Sequence, residues 1–203
     1  MKNFPAAFAL LISILGAPLA MATPVTFTAA LSGANESPPN NSAGTGFATI
    51  LYDAALHTLS VNVTFSGLTG TTTAAHIHCC TVVPNGGNIG VATETPSFNG
   101  FPLGVTSGSY LDLFDLTLAS SFNAAFITAN GGTVAGAEAA LAAGMFSGRS
   151  YLNIHSSFRG GGEIRGFLVQ AQAVPEPGTL ALLGLGLAAL AFGQRRKLAG
   201  RAS

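Results

Sequence analysis

With 203 residues, only 8% of them charged, 26 Gly, 14 Phe and no Trp, the chain is too poor in charge for an ordinary cytosolic helical protein. Its formal net charge of zero hides an asymmetry, because Lys2, Arg195, Arg196, Lys197 and Arg201 all lie in the two end segments. Between residues 23 and 173, Arg149, Arg159 and Arg165 stand against Glu36, Asp53, Glu94, Asp112, Asp115, Glu138 and Glu163. Three minus seven gives −4, and a body without Lys has no basic surface to neutralise phosphates, which excludes nucleic acid as a partner.

Residues 1–22 read as a signal peptide. Lys2 supplies the positive start, the apolar run "FALLISILGAPLA" follows, and Ala20-Met21-Ala22 fits the small-x-small cleavage pattern. The body, 23–173, is then expected in an oxidising compartment.

From Thr23 the pattern has period two. Val25, Phe27, Ala29 and Leu31 alternate with smaller residues and predict a first strand. "SGANESPPNNSAGTG" is a turn-rich loop. "GFATILYD" and "TLSVNVTFSGL" predict two strands joined as a hairpin through "AALH", which makes His57 an exposed turn residue. In the second, Leu59, Val61, Val63 and Phe65 should face the core and Ser60, Asn62 and Thr64 the other side.

"TTTAAHIHCC" predicts the fourth strand. Alternation places His76 and His78 on one face, about 6–7 Å apart at Cα, a spacing at which two imidazoles can share one metal ion. Two histidines on the polar face of a strand would look the same. Cys79 and Cys80 are the only cysteines in the chain. They are read as a vicinal disulfide, a bridge between molecules, or a soft ligand beside the histidines.

The long Gly/Pro loop over 79–110 holds at most a short strand at 89–92, and a loop of this length in a compact domain is often functional. "SGSYLDLFDLTL" is strand-like. "SFNAAFITANGG", with Ser121 as N-cap, and "TVAGAEAALAAG", ending at Gly144, predict two short inserted helices. "RSYLNIHS" and "GEIRGFLVQA" close the body as an antiparallel pair that carries His155, Glu163 and Arg165. Glu163 and Arg165, two apart, are expected on one face near His155, as partners that orient an imidazole or as a polar cluster that fixes register. There is no nucleophile elbow, Walker A loop or dinucleotide-binding glycine pattern.

Residues 174–203 carry a second address: Val174-Pro175-Glu176-Pro177, an apolar helix of roughly 16–18 residues, then the basic Arg195, Arg196 and Lys197. This order resembles the PEP-CTERM sorting signal of bacteria. The resemblance implies a transient transmembrane helix in the inner membrane, recognition and cleavage by an exosortase, and delivery to the cell surface or outside, often alongside exopolysaccharide.

The body resembles a CHRD (chordin-type) domain. "FTAALSGANESPP", "GL" ahead of "AAHIH", and "YLNIHSSFRGGGEIRG" carry the likeness. It implies an extracellular all-β sandwich and no general chemistry; the vicinal cysteines depart from the usual pattern. A weaker likeness is to copper/zinc superoxide dismutase, which implies a Greek-key sandwich with His76, His78 and His155 matching copper ligands. No His follows in the 79–110 loop, so the bridging and zinc ligands have no counterpart. The chain is therefore expected to be an all-β Greek-key sandwich with two inserted helices and a C-terminal apolar helix. Its expected role is binding or structure at the cell surface, with a mononuclear Cu or Zn protein, redox-active in the manner of a dismutase, as the alternative.

Overall fold

A computed structural model describes residues 23–172 and 184–187. The signal peptide, the Pro-Glu-Pro turn and the basic tail lie outside the described residues. So does the apolar C-terminal helix, apart from residues 184–187, which are helical. Among the described residues no helix is long and apolar enough to cross a membrane. The chain divides into a unit over 1–170 and a second over 171–203.

The body is mostly antiparallel sheet. Its strands are β1 (Val25–Ser32), β2 (Thr45–Asp53), β3 (Thr58–Ser66), β4 (Thr72–Cys79), β5 (Gly108–Asp115), β6 (Ser150–Ser156), β7 (Ile164–Phe167) and β8 (Val169–Gln170). They run in the order β4-β6-β7-β1-β2-β3-β5, with β8 also on β1. The sheet curls, so that Thr72 at the start of β4 exchanges backbone hydrogen bonds with Gly104 and Val105, just ahead of β5.

The period-two pattern explains the register. On β3, Leu59, Val61, Val63 and Phe65 are buried, while Asn62 and Thr64 face out. They pair with β2 so that Val61 meets Ile50 and Val63 meets Ala48, and a one-residue slip would expose all four. Asp53 fixes the hairpin by accepting from the amides of Ala55 and Leu56 at 2.9 and 3.0 Å. His57 is an exposed turn residue, as the hairpin reading expects, and its Nδ1 lies 2.8 Å from Glu138.

Two helices cover one end of the core, α1 (Ala124–Ala129) and α2 (Val134–Phe146). Asn123 rather than Ser121 caps α1, its side chain accepting from the Ala125 amide. Thr133 caps α2 in the same way. Gly144 does not end α2, which runs on to Phe146. A side chain at Gly144 would collide with both sulfurs of Cys79 and Cys80, so the glycine serves a close approach and not a helix stop.

The two halves of the sheet differ in cover. Strand β3 buries alternate residues, whereas every residue of β6 is buried. The loop from 80 to 107 lies along the free edge of β4, where Ala92 and Phe98 donate backbone amides to the carbonyls of Ile77 and Ala75. It shields an edge that would otherwise present unpaired backbone to another chain.

Candidate metal centre

On β4, Ala75, Ile77 and Cys79 point into the apolar core, so His76 and His78 point the other way, under the 80–107 loop. Strand β6 pairs with β4 so that Tyr151 lies opposite His78, Asn153 opposite His76, and His155 opposite Ala74. Directly opposed residues share a face. One face therefore collects His76, His78, Tyr151, Asn153 and His155, all between 2% and 9% exposed.

The three imidazoles form a triangle, with ring centroids 5.2 Å apart for His76 and His155, 5.6 Å for His78 and His155, and 5.8 Å for His76 and His78. Tyr151 stacks on His78 at 4.8 Å. Each ring gives one nitrogen to a backbone carbonyl. His76 Nε2 donates to Pro96 at 2.7 Å, His78 Nδ1 to Ile89 at 2.8 Å, and His155 Nδ1 to Gly160 at 2.9 Å. A carbonyl only accepts, so the proton must sit on that nitrogen and the tautomer of each ring is set. The other nitrogens, His76 Nδ1, His78 Nε2 and His155 Nε2, are buried lone pairs with no partner.

One nitrogen from each ring lies within 4.8 Å of the others. Two nitrogens held tetrahedrally by one ion stand about 3.3 Å apart, so the rings need to close by at most about 1.5 Å. Burial pushes the pKa values of His76 and His78 down to about 4 and lowers that of His155, so the rings are neutral near pH 7. Neutral imidazoles, oriented from behind by carbonyls, are what a Zn or Cu ion binds.

The other expected site residues go elsewhere. Glu163 touches no imidazole. It accepts from Ser42 Oγ at 2.5 Å, the Thr69 amide at 2.6 Å, the Gly70 amide at 3.2 Å, and Ser156 Oγ. Arg165 bonds to the carbonyls of Asn35 and Gly87 and to Asn88 Oδ1, and its Nε lies 3.7 Å from Glu36. Its guanidinium covers Tyr151 at 4.6 Å and it stands opposite Asn153 across the β6–β7 pair, but it makes no hydrogen bond to an imidazole. The two residues do not share a face as expected, because β7 begins at Ile164 and alternation does not extend back to Glu163. Carbonyls of the covering loops, not these two side chains, orient the imidazoles.

Cys79 and Cys80 are joined to each other as a vicinal disulfide. Cys79 lies on the core face against α2, so no thiolate stands beside the histidines. Tyr151 and Asn153 were not among the expected site residues. The alternation that pairs His76 with His78 would have found them, since they stand four and two residues before His155.

Residues 27–168 match the model of the CHRD domain, and residues 173–197 match that of the PEP-CTERM protein-sorting motif. No curated protein and no solved structure matches the chain.

Proposed function

The chain belongs to the CHRD domain family and is a secreted, exosortase-sorted protein, and from that premise we propose that its body is a mononuclear metal-binding module. The observation that carries this reading is the set of three buried imidazole nitrogens without partners, one per ring, on a face where every other ring nitrogen is fixed by a carbonyl. Leaving a buried polar atom unpaired costs about 1–3 kcal/mol, and three together on a polar-face ornament would be a large unrelieved cost. A metal ion relieves all three at once. Imidazole donors favour Zn or Cu over Mg or Ca.

PEP-CTERM proteins are exported, held transiently at the membrane for processing by an exosortase, and released to the surface or outside. The module therefore acts outside the membrane. We read 1–22 as the signal peptide, 23–173 as the working domain and 174–203 as the sorting segment. In a host with an exosortase, intact-mass spectrometry should find the tail removed after about Pro177; a mature chain still ending at Ser203 would instead indicate a permanent anchor.

The exchange of strands between the two ends of the sheet, β3 to β4 and β5 to β6, supports a superoxide-dismutase-like Greek-key reading of the topology. The 80–107 loop carries no His, which restricts the site to one ion. A binding role at the surface is supported separately. A cleft of about 390 Å³ is lined by Glu36, Pro38, Pro39, Phe158 and Arg159, with one aromatic ring, one carboxyl group and one guanidinium. That mixture suits a small polar ligand such as a saccharide.

The metal reading is tested on the mature protein. Dialysis against Zn(II) or Cu(II) followed by elemental analysis should find one equivalent per chain, and His155→Ala should lose it. No uptake by the wild type at micromolar metal would end the proposal.

A further inference from the structure

Among the described residues, the buried side-chain atoms without a partner are Glu36 Oε1, His76 Nδ1, His78 Nε2, Ser150 Oγ, Asn153 Oδ1 and His155 Nε2. Three belong to the imidazoles. A fourth, Asn153 Oδ1, belongs to a residue on the same face, directly opposite His76 and two residues before His155 on β6. Asn153 is 2% exposed.

A buried asparagine kept for architecture uses its amide oxygen, because that oxygen has two lone pairs and is costly to strand. Here a strong donor is at hand and does not bond to it. Arg165 stands opposite Asn153 on β7, yet its Nε and one terminal nitrogen are committed to Asn35, Gly87 and Asn88. Gly162, at a φ of 128°, lies against the whole amide: a Cβ there would collide with Asn153 Nδ2 and come within 2.6 Å of its Oδ1. That left-handed backbone favours glycine, and the missing side chain leaves room for the amide.

The four atoms have one property in common. Three neutral imidazole nitrogens and one amide oxygen are all lone-pair donors, and none carries a proton. One buried water supplies only two hydrogens, so four acceptors would need at least two waters, whereas a single cation can take all four lone pairs.

We propose that Asn153 is the fourth donor of the metal site: its amide oxygen completes the three imidazoles into an N3O set. This rests on the metal reading given above. It also narrows it. A three-histidine site with an open fourth place is the pattern of a catalytic metal, whereas four protein donors make a closed site that holds its ion. The module then binds metal to retain it and does not offer it to a substrate.

The test compares the wild type with Asn153→Leu, Asn153→Asp and His155→Ala, each as the mature protein, using Zn(II) in a chelator competition and Co(II) as a visible-absorption probe. Asn153→Leu should weaken Zn(II) binding by about 10–100-fold and alter the Co(II) bands. Asn153→Asp, which keeps the shape and adds charge, should bind Zn(II) more tightly and shift the bands. The metal-free melting temperature of Asn153→Leu should equal or exceed that of the wild type, because no hydrogen bond of the amide oxygen is lost. Wild-type Zn(II) affinity and Co(II) spectrum in Asn153→Leu would overturn the proposal while leaving the three-histidine reading intact. A clear drop in its metal-free melting temperature would overturn it as well, by making the amide an architectural group. If Asn153→Leu does not fold, Asn153→Asp decides alone: an unchanged affinity and spectrum would overturn the proposal. A wild type that takes up neither metal would remove both readings together.

Discussion

Two buried polar clusters meet at neighbouring residues of β6, His155 and Ser156, and they are built on opposite terms. At Ser156 the carboxylate of Glu163 is saturated, with two hydroxyls and two backbone amides on its oxygens. Burial works against its charge, but the hydrogen bonds from Ser156, Ser42, Thr69 and Gly70 together hold its pKa below the usual carboxylate range. At His155 the rings are oriented with equal care, yet three nitrogens and one amide oxygen are left without partners. Low dielectric strengthens a filled network and penalises an unfilled one. The filled cluster is therefore a joint, tying the 40–44 and 66–71 segments to the β6–β7 turn. The unfilled one is the cluster on which the metal proposal rests.

The comparison is broken most severely by removing the joint. Glu163→Ala strands two amides and two hydroxyls and should lower stability by about 3–5 kcal/mol, read as a shift of the urea midpoint. In the metal-free protein His155→Ala removes one hydrogen bond and some packing and should cost only ~1–2 kcal/mol. If both substitutions cost the same, the distinction between the filled and the unfilled cluster fails.

The difference between the clusters also marks how far the sequence could be read. Strand β3 was legible because one of its faces is wet: Asn62 and Thr64 alternate with Val61, Val63 and Phe65. The same rule put His76 and His78 together, and the likeness to dismutase added His155. Strand β6 was harder, because both its faces are buried and its polar residues no longer mark solvent. What fills the second face is a loop without periodicity, which contributes the carbonyls of Ile89 and Pro96, while the β6–β7 turn contributes that of Gly160. Every residue has a carbonyl, so no residue type announces those three positions. Glu163 and Arg165 were misplaced for a related reason. Period two applies only inside a strand, and the turn at Gly162 sets the direction of Glu163 afresh. Gly144 was misread as a helix stop because its reason, the disulfide packed against it, is distant in sequence.

Glu36 lies between the two extremes and sharpens the comparison with a smaller effect. Its Oε1 has no partner, and Arg165 stands 3.7 Å from its Oε2, which is long for an ion pair. Burial outweighs Arg165 and the Ser37 amide and pushes the carboxyl up to about 7, against an ordinary value of 4.5. The folded protein thus holds this proton more tightly than the unfolded chain does. The stability that follows is fully present below about pH 4.5 and is lost as the pH rises through about 7. Its size is no more than about 3 kcal/mol across that window. The buried histidines act in the opposite direction over part of the same range, so the total pH profile would not isolate Glu36. The difference between the wild type and Glu36→Gln does. Chemical denaturation at pH 5 and at pH 8 should find the wild type losing ground to Glu36→Gln at the higher pH. A difference that is flat with pH, or that grows in favour of the wild type, would place Glu36 with Glu163 as a carboxylate satisfied in its charged form.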